Sequence, residues 1–76
     1  MEPKIYKVEV DFLWDPEAKV WVATSDQVPG LVLEDGSFDA LAERVKFAIP
    51  ELLELNGLPG NALLNFHTER EEMVYA

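Results

Sequence analysis

The chain has 76 residues, enough for one small domain, and no cysteine, which excludes a disulfide framework and a thiolate metal site. Fifteen acidic residues against six basic ones give a net charge of −9. Such a charge disfavours binding to nucleic-acid phosphates and favours encounter with basic proteins. Acidity that only keeps the protein soluble is the alternative interpretation.

Location and assembly follow from the same inventory. Met1–Lys4 lack the basic and apolar pattern of a signal peptide, and no apolar run reaches the ~20 residues that span a bilayer. We therefore expect a cytoplasmic protein with no membrane contact. Hydrophobic residues make up 49% of the chain, more than one thin core can bury. This excess predicts a homodimer or a higher homo-oligomer.

Two strands are predicted before residue 26. Ile5–Leu13 alternates apolar and charged residues, and this period of two is typical of a half-buried strand. The segment 14–19 is polar and contains proline, which suits a hairpin loop. Val20–Ser25 is apolar on both faces, which favours a central place in the sheet. The apolar face of the first strand carries Tyr6, Val8, Val10 and Phe12, and the other face carries Lys7, Glu9 and Asp11.

A turn and a third strand follow. Pro29-Gly30 suits a type II turn, because proline presets φ at about −65° and glycine accepts a positive φ. Leu31–Leu33 is a short apolar run that suits a buried strand, and Asp35-Gly36 ends it. The short connections between the first three strands predict an antiparallel meander.

From Ser37 the apolar period changes from two to 3.6, which predicts a helix of about twenty residues with Ser37 as its N-cap. Pro50 removes a backbone N–H, so we expect a kink or a break there. Asn56-Gly57 ends the helix. The predicted apolar stripe comprises Phe38, Leu41, Ala42, Val45, Ala48, Ile49, Leu52 and Leu53; the outward residues are Asp39, Glu43, Arg44, Lys46, Glu51 and Glu54.

Ala62–Thr68 is the predicted fourth strand, and after a helical crossover it should lie parallel to its neighbour. Met73–Tyr75 either extends this strand or forms a short apolar tail. The order β-β-β-α-β predicts a two-layer α+β fold, with one helix packed on one face of a small sheet. Residues 1–76 form a single domain in this interpretation, without a separate DNA-binding domain.

Few residues suggest a catalytic or metal-binding role. His67 is the only histidine, and a lone histidine in a strand is more often structural than catalytic. Asp11, Asp26, Glu34 and Asp35 would hold a divalent cation if they converged at a sheet end, but chance proximity is the favoured explanation in so acidic a chain. We predict no catalytic residue, no metal and no cofactor.

Trp14 and Trp21 are either core residues or aromatic anchors for a partner. For Trp21 we favour the interface, on the sheet face that the helix leaves uncovered; Trp14 stays open between the two. From their positions at turns, Asp26, Glu34 and Asp35 are the acids expected to face a partner. Trp21, Asp26, Glu34 and Asp35 thus form the predicted partner-binding set.

Three segments together resemble the short stand-alone branch of the HicB-like antitoxin family: Val20–Asp26, Val28–Val32 and the end of the capped helix at Ala48–Leu53. The resemblance covers about Tyr6 to Asn56. It implies a partial ribonuclease-H-like β-β-β-α-β fold and a function in binding rather than catalysis. Members of that family neutralise small basic HicA-type toxins that cleave RNA.

Two departures from the HicB-like pattern affect the expected function. Asp35-Gly36-Ser37 stands where the family often has Gly-Asp-Thr. Many members also carry a C-terminal DNA-binding segment, and this chain ends about eight residues after its last predicted strand, so we expect no direct nucleic-acid binding. A stand-alone homo-oligomer with a structural or ligand-sensing role, and no toxin partner, is the alternative function.

Overall fold

The computed structural model describes residues 4–76 and contains a four-stranded mixed sheet with one helix packed against it. In chain order the elements are β1 (Ile5–Asp15), β2 (Val20–Thr24), β3 (Val32–Asp35), α1 (Phe38–Leu55) and β4 (Asn61–Glu69). The sheet order is β3-β2-β1-β4, with β1, β2 and β3 antiparallel and β4 parallel to β1. The predicted two-layer α+β fold is confirmed. Met1–Pro3, used in the signal-peptide argument, lie outside the described residues.

The core lies between α1 and one face of the sheet. The alternation in β1 directs Val8, Val10 and Phe12 into this layer, where all three are buried. Every residue of the predicted helical stripe is buried or half-buried, and the six predicted outward residues are exposed. The fully packed set comprises Val8, Val10, Phe12, Ala23, Val28, Leu31, Leu41, Val45, Ile49 and Leu53.

β1 runs two residues further than the alternation predicted, because its end is closed by an Asp turn. Asp15 Oδ1 accepts hydrogen bonds from the backbone N–H groups of Glu17 (3.0 Å) and Ala18 (3.2 Å). The hairpin is therefore tight enough for Trp14 to pair with Trp21. The predicted loop 14–19 shrinks to residues 16–19.

The other strand boundaries shift by small amounts. β2 ends at Thr24, one residue earlier than predicted, and β4 is one residue longer at each end. β3 begins at Val32 rather than Leu31, because Leu31 belongs to the preceding turn, where its N–H donates to the carbonyl of Val28 (3.2 Å). Gly30 in this turn has φ of 90°, as the type II prediction requires.

Gln27 takes the place of a missing strand neighbour. β2 pairs with β1 only from Asp11 onward, so the earlier part of β1 lacks a ladder partner on that side. The Gln27 side chain accepts from the N–H of Glu9 (2.6 Å) and donates to the carbonyl of Lys7 (3.2 Å). Two backbone groups that would otherwise need water are satisfied in this way.

Both ends of α1 are capped as the residue types indicated. Ser37 accepts from the N–H of Ala40 through its hydroxyl (3.2 Å). At the other end Leu58 N–H donates to the carbonyl of Leu53 (2.8 Å) and Gly57 N–H to that of Glu54 (3.0 Å). This pair of bonds is a Schellman motif with Gly57 in the left-handed region, at φ of 76°.

The helix continues through Pro50, so of the two predicted effects the break into two pieces is wrong and the kink stays a prediction. Pro50 is exposed on the outward face, where solvent is available to the carbonyl that loses its helical partner. The buried residues on both sides of it, Val45, Ile49 and Leu53, hold the two halves against one sheet. Tertiary packing thus outweighs the local cost of the proline. Within residues 4–76, no helix is long and apolar enough to cross a membrane.

We predict that Gly57→Ala destabilises the fold by about 1–2 kcal/mol, because alanine is strained at this positive φ. Gly36→Ala is the matched control: Gly36 lies outside the positive-φ region, and an added Cβ would meet only the carbonyl of Lys19 at 3.7 Å. The control should be neutral or stabilising by about 0.4–1 kcal/mol. Urea unfolding of both variants measures the difference, and equal effects would contradict the Schellman assignment.

Candidate functional site

Trp21 does not lie on the uncovered sheet face, and this part of the sequence prediction is wrong. Its neighbour on the same face of β2 is the buried Ala23, which pairs with the core residue Phe12. The Trp21 ring is half-buried and meets Phe38 of α1 edge-on, with centroids 5.4 Å apart. Because β2 is apolar on both faces, its pattern offered no means of choosing between them.

The three predicted partner-binding acids lie in different surroundings. Asp26 is exposed in the turn after β2, and Glu34 is exposed on β3. Asp35 is half-buried at the end of β3: its Oδ1 accepts from the N–H of Ser37 (2.9 Å) and its Oδ2 lies 3.7 Å from Arg44 Nη1. Asp35 therefore has a structural role, and the four predicted residues do not form one patch.

The cation hypothesis is not supported by the geometry. Among residues 4–76, no three His, Cys, Asp or Glu side chains lie close enough together to hold a metal ion. Asp11 and Glu34 are on one face of the sheet, while Asp35 is on the helix side, opposite Trp21 in the register. Asp26 lies beyond the end of β2.

The sheet face opposite α1, here called the open face, combines exposed apolar side chains with acids. Ile5, Leu13, Val32 and Leu63 are each at least half exposed. Because successive side chains of a strand alternate between faces, the open face of β1 carries Ile5, Lys7, Glu9, Asp11 and Leu13. The acids of the open face are Glu9, Asp11, Glu34 and Glu69.

A hydrogen-bonded cluster joins β1 and β4 on the open face. Glu9 pairs with Asn65 in the parallel register and accepts from its Nδ2 (3.2 Å). His67 Nε2 donates to the other carboxylate oxygen of Glu9. The hydrogen bond from His67, and then that from Asn65, lowers the pKa of Glu9 below its ordinary value of 4.5.

This shift predicts a pH dependence of stability. Because the pKa of Glu9 is lower in the folded state, its contribution is present above the unfolded pKa and is lost as pH falls through the folded pKa. His67→Ala should therefore make stability less sensitive to acid below about pH 4.5. Urea midpoints measured from pH 5 to pH 3 check this. Asn61→Ala, on the same strand, is the control. If the urea midpoint of His67→Ala falls with pH as steeply as that of the wild type, the prediction is contradicted.

Trp14, Trp21 and Arg70 form a second cluster, here called the tryptophan site. The two indole rings meet edge-on with centroids 5.4 Å apart. The guanidinium carbon of Arg70 lies 4.0 Å from the centre of the Trp14 ring and 5.8 Å from that of Trp21. The register explains this placement. Leu13 pairs with Glu69 in the parallel ladder, so Trp14 and Arg70, which follow these two residues, are neighbours.

An open cleft of about 860 Å³ adjoins the tryptophan site. Leu13, Trp14 and Pro16 line one side of it. The other side consists of Glu69, Glu71, Glu72 and Met73. Glu72 also accepts a hydrogen bond from Arg70 Nε (2.6 Å). The cleft therefore brings the indole ring of Trp14 together with the carboxylates of Glu69, Glu71 and Glu72.

Sequence reasoning missed both clusters. His67 and Glu9 are 58 residues apart, and only the β1–β4 register brings them together. For Arg70, the available signal was a single basic residue in the acidic segment 69–72. Its position relative to Trp14 depends on the same register.

Comparison with known proteins places the chain in a family. The family model described as "Domain of unknown function (DUF1902)" matches residues 5–76. The sequence matches no curated protein. The crystal structure of hypothetical protein TTHA1013 from Thermus thermophilus, an extremely thermophilic bacterium, is similar with a TM-score of 0.77 and 38% sequence identity, and the match covers 90% of this chain and 99% of that chain. The chain therefore belongs to the DUF1902 family.

Proposed function

We propose that this protein is a non-catalytic binding module of the cytoplasm that neutralises a small basic toxin of the HicA type, as HicB-like antitoxins do. The observation that carries the proposal is the open face, where exposed apolar side chains lie among acids in a chain of net charge −9. Acids attract and orient a basic protein, and apolar residues hold it. The resemblance of Val20–Asp26, Val28–Val32 and Ala48–Leu53 to HicB-like proteins supplies the class of partner.

The test uses the HicA-type proteins of the source organism, each expressed in catalytically inactive form and titrated with this chain by calorimetry. We expect one of them to bind, and co-expression of this chain should relieve the growth arrest that its active form causes. The proposal is wrong if the organism encodes no such protein, or if none binds.

Matched variants locate the contact. Leu63→Arg places a positive charge on the open face, and Phe47→Arg places the same charge on the outer surface of the helix; both side chains are exposed in the parent protein. Because surface substitutions of this kind change stability little, differences in toxin affinity report the interface. Leu63→Arg should weaken binding and Phe47→Arg should not.

A stand-alone homo-oligomer is the second candidate, and the exposed apolar tail favours it. Met73, Val74 and Tyr75 are 75%, 87% and 85% exposed, and apolar residues in such numbers mark interaction surfaces. Sedimentation at micromolar concentration should give a mass at least twice 8.6 kDa. A species of 8.6 kDa alone would contradict self-association.

A further inference from the structure

We infer that Trp14 and Trp21 form a binding site for an arginine side chain of a partner protein, and that Arg70 occupies this site in the free protein. The inference depends on the proposed function in one respect only: the basic toxin would be the partner that supplies this arginine. In the bound state the partner's guanidinium would take the place of Arg70 over the two indole rings, beside the carboxylates of Glu71 and Glu72.

The site is already suited to a guanidinium group. Arg70 stacks at 4.0 Å over Trp14, and tryptophan is the aromatic side chain that attracts cations most strongly. A planar guanidinium stacks on an indole face while its N–H groups donate to carboxylates at the edge. Arg70 does both at once, since its Nε donates to Glu72. The core holds the Trp21 ring of the site in place, through its edge-on contact with Phe38.

Arg70 is a replaceable occupant. Its side chain is 43% exposed, and a cation–π contact at such a site is worth only about 0.5–1 kcal/mol. Residues 70–76 after β4 are exposed, so the Arg70 side chain has room to turn out into solvent while the backbone of Glu69, Glu71 and Glu72 stays in place. The acidic rim of Glu69, Glu71 and Glu72 remains and attracts the incoming cation.

The test needs no toxin, because short peptides serve as probes. A five-residue peptide with two arginines is titrated into the protein and compared with the same peptide carrying lysines. Trp14 and Trp21 are the only tryptophans of the chain, so their fluorescence reports this site alone. Arg70→Ala frees the rings and should bind the arginine peptide about two- to fivefold more tightly than the wild type does, the factor that one exposed cation–π contact accounts for.

Lys46→Ala is the control for the change in net charge that Arg70→Ala causes. It removes one positive charge from the helix, where Lys46 pairs with Glu43. This variant should bind the peptide as the wild type does. Trp14→Leu in the Arg70→Ala background should abolish the preference for arginine over lysine. If that variant does not fold, the indole N–H signals of Arg70→Ala locate the peptide by NMR with both rings intact.

The inference is overturned if Arg70→Ala and Lys46→Ala tighten binding equally, if arginine and lysine peptides bind alike, or if the indole signals do not move. Failure here leaves toxin binding through the open face standing. Conversely, peptide binding without any toxin binding would contradict the proposed function and retain the arginine site.

Discussion

Phe12→Ala should lower the free energy of unfolding by about 3–5 kcal/mol, the largest loss expected from a single substitution in this chain. The Phe12 ring is fully buried and lies 4.8 Å from Phe38 and 4.9 Å from Phe66, centroid to centroid. Its removal leaves a cavity between the sheet and the helix that a thin core has little means to close. A domain with a total stability of about 5–15 kcal/mol would lose much of it.

Phe47→Ala is the matched control, because it makes the same chemical change at a side chain that is 75% exposed. Its effect should stay within about 0.5 kcal/mol. Both variants are unfolded in urea at one protein concentration, since self-association would make stability depend on concentration. A loss of less than about 1 kcal/mol in Phe12→Ala, or equal losses in the two variants, would contradict the core described here.

Local patterns predicted most of the fold. The alternation in β1 identified its buried face, and the 3.6 period identified the buried stripe of α1 from Phe38 to Leu53. Ser37 and Gly57 act at the helix ends as their residue types indicated. Each of these signals is contained in a short window, because capping, turn and face preferences depend on a few neighbouring residues.

The candidate sites could not be predicted in the same way. Trp21 was assigned to the wrong face, because the apolar pattern of β2 is compatible with either face and only its pairing with β1 decides. The contacts of His67 with Glu9 and of Arg70 with Trp14 join segments more than fifty residues apart. At Pro50 the local pattern predicted a kink or a break, but packing of the whole helix against the sheet keeps the helix continuous.

Association with the proposed basic toxin should slow at least about tenfold when salt is raised from 50 mM to 500 mM, while dissociation changes little. The chain carries a net charge of −9, and electrostatic steering raises association rates by roughly 10- to 1000-fold. Salt screens exposed, separated charges beyond about 10 Å at 0.1 M. The exposed apolar side chains Leu13, Val32 and Leu63 of the open face would supply the slow dissociation.

Two double variants with equal net charge test which acids raise the rate of association with the toxin. Asp11→Asn with Glu34→Gln removes two acids from the open face, and Glu51→Gln with Glu54→Gln removes two from the outward face of the helix. Stopped-flow kinetics against the toxin should show the larger fall in association rate for the open-face pair. Equal falls would mean that net charge alone steers the encounter. If salt instead accelerates dissociation, the contact is built on buried charge pairs, and the division between acidic steering and apolar retention is wrong.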